Sequence, residues 1–265
     1  MAKIHNTALV DPKAQIGENV EIGPFCTVGP NVNIGAGTRL ISYCNLSGHT
    51  ILGKDNVVFP FVSMGTDPQD YDYKGWISYL KIGDGNTFRE GFTANVGTKE
   101  GTETIIGNKC YFMTNSHVAH NCKVGNAVIV ANGSGFSGYS EIGSNCVISG
   151  LCGTHQFVRL GRFVMMSGGS VTSLDIPPFM IADGRNGAIK AINLVGLKRN
   201  GFNENTIKSI KNMFKIFFRN GLNVTNALAK IKSDMEPIPE ILEFINFVET
   251  SKRGVGHCRT SGRRS

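Results

Sequence analysis

Apolar residues recur at every sixth position over long stretches of this chain. The first series runs Ile4, Val10, Ile16, Ile22, Val28, Ile34, Leu40, Leu46, Leu52, Val58 and Met64 without a slip. Gly often follows directly, as at Gly17, Gly23, Gly29, Gly35, Gly53 and Gly65. The series breaks at "TDPQDYDYKGWISYL", Thr66 to Leu80, resumes at Ile82 and Phe88, and breaks again around "GTKEGTET". A second series runs Ile106, Phe112, Val118, Val124, Val130, Phe136, Ile142, Ile148, Thr154, Leu160, Met166 and Thr172. A helix of 3.6 residues per turn cannot hold a six-residue register, and plain alternation would not place Gly so regularly. A hexad period predicts a parallel β-helix, in which short strands and turns wind into stacked coils.

Period six fixes neither the coil size nor the hand. The known hexapeptide fold has three hexads per coil and winds left-handed, against the usual right-handed crossover. Residues 18 apart then stack in columns roughly 4.8 Å apart, the spacing of paired strands. In each strand the repeat residue and the one two before it point inward, and the residue between them points out.

The pattern changes in the last quarter of the chain. In "NENTIKSIKNMFKIFFRNG", Ile207, Ile210, Met213 and Phe217 have helical spacing, and Gly221 is placed as a stop. "TNALAKIKS" and "IPEILEFINFVETSKRG" predict two more helices. The expected organisation is a β-helix over 1–195 and a helical domain over 196–265 that covers the end of the stack.

Charge follows the same division. Residues 1–195 hold 14 Lys and Arg and 14 Asp and Glu, whereas residues 196–265 hold 13 and 6, so the whole net charge of +7 lies in the second part. A basic surface there suits an acidic partner or phosphate groups. Part of the excess is the tail "RTSGRRS", expected to be solvated and disordered. No aromatic-basic interleaving or recognised motif points to nucleic acid. The chain lacks an apolar run of about 18 residues or a signal-peptide core, so a cytoplasmic protein with no membrane span is expected.

The candidate chemistry centres on "TNSHVAHNC", Thr114 to Cys122. Cys26, Cys44, Cys110, Cys122, Cys146 and Cys152 all fall four residues after a repeat position, which makes them small core residues. Cys258 alone lies outside the pattern. The register turns His117 outward, because it sits between Ser116 and Val118, and puts His120 in the following turn, also outward. With Cys122 facing in, the three do not converge on a metal ion. His155 is displaced from His120 by two strand spacings, roughly 10 Å. A metal site between subunits stays open, beside a general base: a neutral imidazole that takes a proton from a hydroxyl. Asn121 can orient such a ring.

The segments "IGPFCTVGPNVNIGAGT", "GTDPQDYDYKG", "IGDGNTFRE", "SHVAHNCKVGN", "GTHQFVRLG", "DIPPFMIADG" and "NLVGLKRNGF", in this order over nearly the whole chain, resemble the bacterial UDP-N-acetylglucosamine O-acyltransferase family. The hexads are shared by many acyltransferases; "HVAHNC", "HQF", "DIPPFMIADG" and "GLKRNGF" are specific. The resemblance implies a homotrimeric enzyme with active sites between subunits. It implies transfer of an R-3-hydroxyacyl group from acyl carrier protein to the 3-hydroxyl of UDP-N-acetylglucosamine, the first step of lipid A synthesis. It implies no metal or organic cofactor.

By position, the resemblance makes His120 the general base and the Gly138 N–H the oxyanion donor. Gly138 is also one 18-residue step above His120. Gln156 continues that column and His155 adjoins it. Asp70 and His117 match substrate contacts, Asn193 and Arg199 match nucleotide contacts, and Gly168 matches a position that limits acyl length. The basic C-terminal domain suits docking of the acidic carrier protein. Asn121 stands where the family usually has Asp, Tyr139 where it commonly has His, Asp72 where Lys is frequent, and Asn200 where a second Arg is usual. A related N-acyltransferase, in which Asn follows the base, is the alternative; the repeats that begin at Ile4 leave no room for its N-terminal uridine-binding domain. A catalytically lapsed relative is a third reading.

Overall fold

In the computed structural model, which describes residues 1–185 and 187–257, the chain winds into a left-handed parallel β-helix closed by four helices. Three sheets of eleven, nine and eight strands form the faces of a prism; up to Val171–Thr172 strands three apart in sequence lie side by side and parallel, and the last strand, Ile189–Ile192, pairs antiparallel with Met180–Ala182. The register is the expected one: Lys3 pairs with Glu21, His117 with Gly135, and Gly135 with Gly153, each 18 residues apart. The two breaks in the hexad pattern are insertions that leave the prism intact. Ser63 pairs with Thr93 and Thr93 with His117, so the inserted residues loop out and the ladder continues across them.

Burial follows the hexads. Every repeat residue from Ile22 to Met64 is buried, and so are Thr154 and Thr172, the two polar members of the second series. The core is filled by large side chains such as Phe88, Phe92 and Phe112, whose ring centroids lie 4.8–5.4 Å apart. Each fully buried Phe of this kind contributes roughly 1.5–3 kcal/mol. The six coil cysteines are buried and free. Burial pushes the Cys122 thiol up to about 12, so it stays protonated and behaves as a small hydrophobe. Cys258 and the tail "RTSGRRS" lie outside the described residues.

The first coil is open, with Ile4 and Leu9 exposed. The other end is closed by α1 (Leu194–Arg199), α2 (Glu204–Arg219), α3 (Val224–Asp234) and α4 (Pro239–Glu249). The last three match the expected helices, and Ile207, Ile210, Met213 and Phe217 form the buried stripe of α2. Asn203 and Asn223 cap α2 and α3 by accepting from the Thr206 and Asn226 N–H groups. Helix α1 was not expected: six residues with Gly196 inside give no readable period. The chain then returns to the prism. The Asp175 N–H donates to the Gly254 carbonyl and the Gly256 N–H to the Asp175 carbonyl, so the C-terminal segment is laced into the last coil.

Candidate active site

His117 and His120 lie at the corner where the chain passes from the nine-stranded sheet to the eight-stranded one. His117 is on the outer face of its strand, as its register demands, and its Nδ1 shares a 2.7 Å hydrogen bond with Thr93 Oγ1. Burial holds its imidazole below the ordinary value, with the charge of His120 adding to the effect and a hydrogen bond at Thr93 partly offsetting it.

His120 departs from expectation. Its side chain projects from the coil but does not reach open solvent: the residue is 4% exposed. Gly138 lies directly above, where an added Cβ would collide with imidazole Cε1 and Nε2. The φ of Gly138 is not in the left-handed region, so glycine is required here by space and not by backbone conformation. Tyr139 meets the ring edge-on at 5.4 Å between centroids. Asp70, from the first insertion, approaches from the far side, its Oδ2 3.5 Å from Nε2. That loop is held at its base by Asn95, whose Nδ2 donates to Thr66 Oγ1 and to the Asp67 carbonyl. The insertion converts an outward histidine into an enclosed one.

The tautomer of His120 follows from its neighbour. Asn121 Oδ1 accepts from the Thr98 backbone N–H at 3.0 Å and from the Thr98 hydroxyl at 2.9 Å. A backbone N–H can only donate, so the atom facing it is the carbonyl oxygen. The same oxygen lies 3.1 Å from His120 Nδ1, so Nδ1 must carry the proton. The lone pair of the neutral ring is therefore on Nε2, the nitrogen that faces Asp70. Tyr139 joins this network, its hydroxyl 2.9 Å from Thr98 Oγ1. Thr98 comes from the second insertion, and nothing in the hexad pattern marks it.

One donor beside the ring is left free. Among the described residues the Gly138 N–H has no acceptor, although its carbonyl accepts from the Phe157 N–H. A ring nitrogen with a free lone pair and an unpaired backbone N–H thus belong to two residues packed against each other, the two kinds of group that acyl transfer uses. No group of three or more His, Cys, Asp or Glu among the described residues is arranged to hold a metal ion.

The other expected residues fall at three different corners. Gln156 and His155 share the corner of His120 and are exposed. Gly168 is at the next corner, between Met166 and Val171, where an added Cβ would meet only the Gly150 carbonyl at 3.8 Å. Between these corners Gly135 and Gly153 bear no side chain on the outer face of the strand, so a smooth furrow crosses the sheet beside His117. Asn193 is buried at the third corner; its Nδ2 donates to the Phe163 carbonyl and its Oδ1 accepts from Gly196 N–H at the start of α1. Arg199 is exposed on the last turn of that helix. Asn193 and Arg199 are therefore not brought to His120 within one chain.

Comparison with known proteins agrees with this arrangement. The family model for the second domain of UDP N-acetylglucosamine O-acyltransferase matches residues 175–256, and the bacterial transferase hexapeptide model matches 1–36 and 103–138. An acyl-[acyl-carrier-protein]–UDP-N-acetylglucosamine O-acyltransferase of Thermodesulfovibrio yellowstonii is 42% identical over 98% of this chain and 100% of its own length. The chain belongs to the UDP-N-acetylglucosamine O-acyltransferase family. Family members of known structure superpose closely. The Bacteroides fragilis enzyme has a TM-score of 0.92 at 41% identity, covering 95% of this chain and 99% of its own. The Francisella novicida enzyme has 0.93 at 34%, covering 97% and 95%. The second-domain model begins at residue 175, ahead of the boundary expected at 195, where the last coil is laced to the C-terminal segment.

Proposed function

We propose that the protein transfers an R-3-hydroxyacyl group from acyl carrier protein to the 3-hydroxyl of UDP-N-acetylglucosamine, the opening step of lipid A synthesis. The observation that carries this reading is His120: its Nδ1 proton is committed to Asn121, and its free Nε2 lies beside the unpaired Gly138 N–H.

The sugar hydroxyl donates its proton to Nε2 while its oxygen attacks the thioester carbonyl. The C=O electron pair moves onto oxygen, which accepts a hydrogen bond from Gly138 N–H. Collapse of the tetrahedral intermediate re-forms the carbonyl and expels the carrier thiol, which takes its proton from the imidazolium. Asn121 cannot offset the charge of that imidazolium, but the carboxylate of Asp70 stands 3.5 Å from the protonated nitrogen and can. The reaction needs neither metal nor organic cofactor.

The spread of residues over three corners supports a homotrimer. Asn193 and Arg199 of one copy can serve as nucleotide contacts only at the His120 corner of a neighbouring copy. The basic C-terminal domain suits the acidic carrier protein, and a cytoplasmic location fits a chain in which no described helix is long and apolar enough to cross a membrane. Incubation of the purified protein with 3-hydroxyacyl carrier protein and UDP-N-acetylglucosamine should yield the 3-O-acyl nucleotide sugar by mass spectrometry. Equal turnover by His120→Ala would remove the base assignment, and preferred acylation of a 3-amino acceptor would favour an N-acyl product.

A further inference from the structure

Among the described residues, one buried side-chain nitrogen or oxygen lacks a hydrogen-bond partner: Oδ1 of Asn95. The residue is 2% exposed. Turning its amide over would not satisfy both ends. Nδ2 donates to Thr66 Oγ1 at 3.0 Å and to the Asp67 carbonyl at 2.9 Å, and a carbonyl can only accept. The oxygen is left over because the nitrogen is committed. A buried unpaired acceptor costs stability, whereas an apolar side chain of similar size would leave no such orphan. The two acceptors do not need Asn95 for folding either: Asp67 is exposed and Thr66 half-buried, so water can serve them. Stability therefore does not explain an asparagine here.

Its place in the fold does. Asn95 stands at the take-off of the first insertion. Strand Ser63–Thr66 runs in register with Thr93–Asn95 as far as Met64; Gly65 is then bulged out, and Thr66 comes to face Asn95. Gly65 has a φ of +76°, and an added Cβ would strike Thr50 Oγ1 and the Ser47 carbonyl, so only glycine makes this turn. A bulge of this kind re-aims the chain that follows it. Asn95 grips the two residues at which that chain leaves the prism. The return limb is tied separately, by the Ser78 hydroxyl to the Gly97 carbonyl and by the Gly101 N–H to the Ile77 carbonyl. Asp70 lies three residues past Asp67 and seven before Ile77, so the take-off anchor is the nearer one. Within the loop, Asp70 Oδ1 accepts from the Asp72 N–H at 2.9 Å. Oδ2 is the oxygen left to face His120 Nε2, at 3.5 Å.

We propose that Asn95 is a positioning residue for the transfer reaction: its clamp on Thr66 and Asp67 aims the Asp70 carboxylate at His120 Nε2. The proposal rests on the acyl-transfer reading above, in which Asp70 offsets the charge of the imidazolium. Asn95 acts only through the loop, since it makes no hydrogen bond to His120. A carboxylate 3.5 Å from the ring loses most of its effect when the loop swings outward into water. The clamp therefore serves rate and not folding.

Asn95→Leu keeps the size of the side chain and removes the donor. With 3-hydroxyacyl carrier protein and UDP-N-acetylglucosamine it should lower kcat by about tenfold, the effect of one lost hydrogen bond. KM for both substrates should change little, and the Tm should be no lower than that of the wild type. Asp70→Asn should lower kcat as well. The double variant should be no slower than Asp70→Asn alone, because both changes remove the same interaction. Thr66→Val cuts the other end of the clamp and should show the same dependence on Asp70; it carries the test if Asn95→Leu does not fold. Unchanged kcat in Asn95→Leu and Thr66→Val overturns the proposal, as does unchanged kcat in Asp70→Asn. A lowered Tm with normal kcat makes Asn95 a structural residue only, and losses that multiply in the double variant separate it from Asp70; either overturns the positioning role. Absence of transfer by the wild-type protein removes the acyl-transfer reading itself, and the positioning role with it.

Discussion

The imidazole of His120 occupies the space that a side chain at residue 138 would fill. The His120 ring and the Gly138 backbone, proposed above as base and oxyanion donor, are thereby held against each other by the stacking of two coils. Gly138→Ala should keep the fold, since the backbone there is unstrained, but should push the ring from its place. A displacement of this size costs about a hundredfold in rate. Circular dichroism paired with single-turnover transfer measures both; an active Gly138→Ala protein would argue against this packing.

Removal of the proposed base itself should be more severe. His120→Ala is expected to lose about 10²–10⁴-fold in kcat, with little change in KM for the nucleotide sugar. Steady-state kinetics on both substrates distinguishes this from a binding defect.

Thr98 should matter although it is remote in sequence. Its hydroxyl is one of two donors that aim the Asn121 carbonyl at His120 Nδ1. Thr98→Val should lower kcat by about tenfold and move the pH dependence of kcat, because the tautomer is less well fixed. Thr98→Ser restores the hydroxyl and should restore both. A Thr98→Val enzyme with a normal pH profile would leave Thr98 a structural residue only.

Gly168 lies beyond the furrow left by Gly135 and Gly153, with open space above it. Gly168→Met should close that space and shift donor preference toward shorter acyl chains. A panel of 3-hydroxyacyl donors of graded length reads the shift, and an unchanged optimum would place the acyl chain elsewhere.

Stability should fall on mild acidification. The folded state holds His117 below its ordinary value, about 6.5 in an unfolded chain. As the pH falls below that value the unfolded state binds the proton first, so unfolding gains protons and stability is lost down to the folded value. The apparent Tm should therefore drop between pH 7.5 and pH 5.5, and His117→Gln should lessen the drop.

The hexads made much of this protein legible. Period six identified the coils, the inward cysteines and the outward face of His117, and with the three-hexad coil of the known fold it also gave the column that joins His120 to Gly138. It could do so because parallel stacking maps each residue onto the one 18 positions away, and a strand's alternation fixes which way each side chain points. Side chains from the insertions obey no such rule. The first break in the pattern supplies Asp70, which encloses a histidine expected in the open. The second supplies Thr98, which sets the tautomer through Asn121. Tyr139, which stands where the family commonly has His, donates its hydroxyl hydrogen to Thr98 Oγ1, whose own hydrogen goes to Asn121. Helix α1 and the dispersal of Asn193, Arg199 and Gly168 over separate corners were equally hidden. The sequence by itself determined a coiled stack of hexads and which side chains point inward, since both follow from local periodicity. Three hexads per coil, and hence the 18-residue columns, came from the known hexapeptide fold and are seen in the strand pairing. Only the tertiary structure decided which loops close over His120 and which nitrogen of its ring is free, because those depend on contacts that cross the breaks in the repeat.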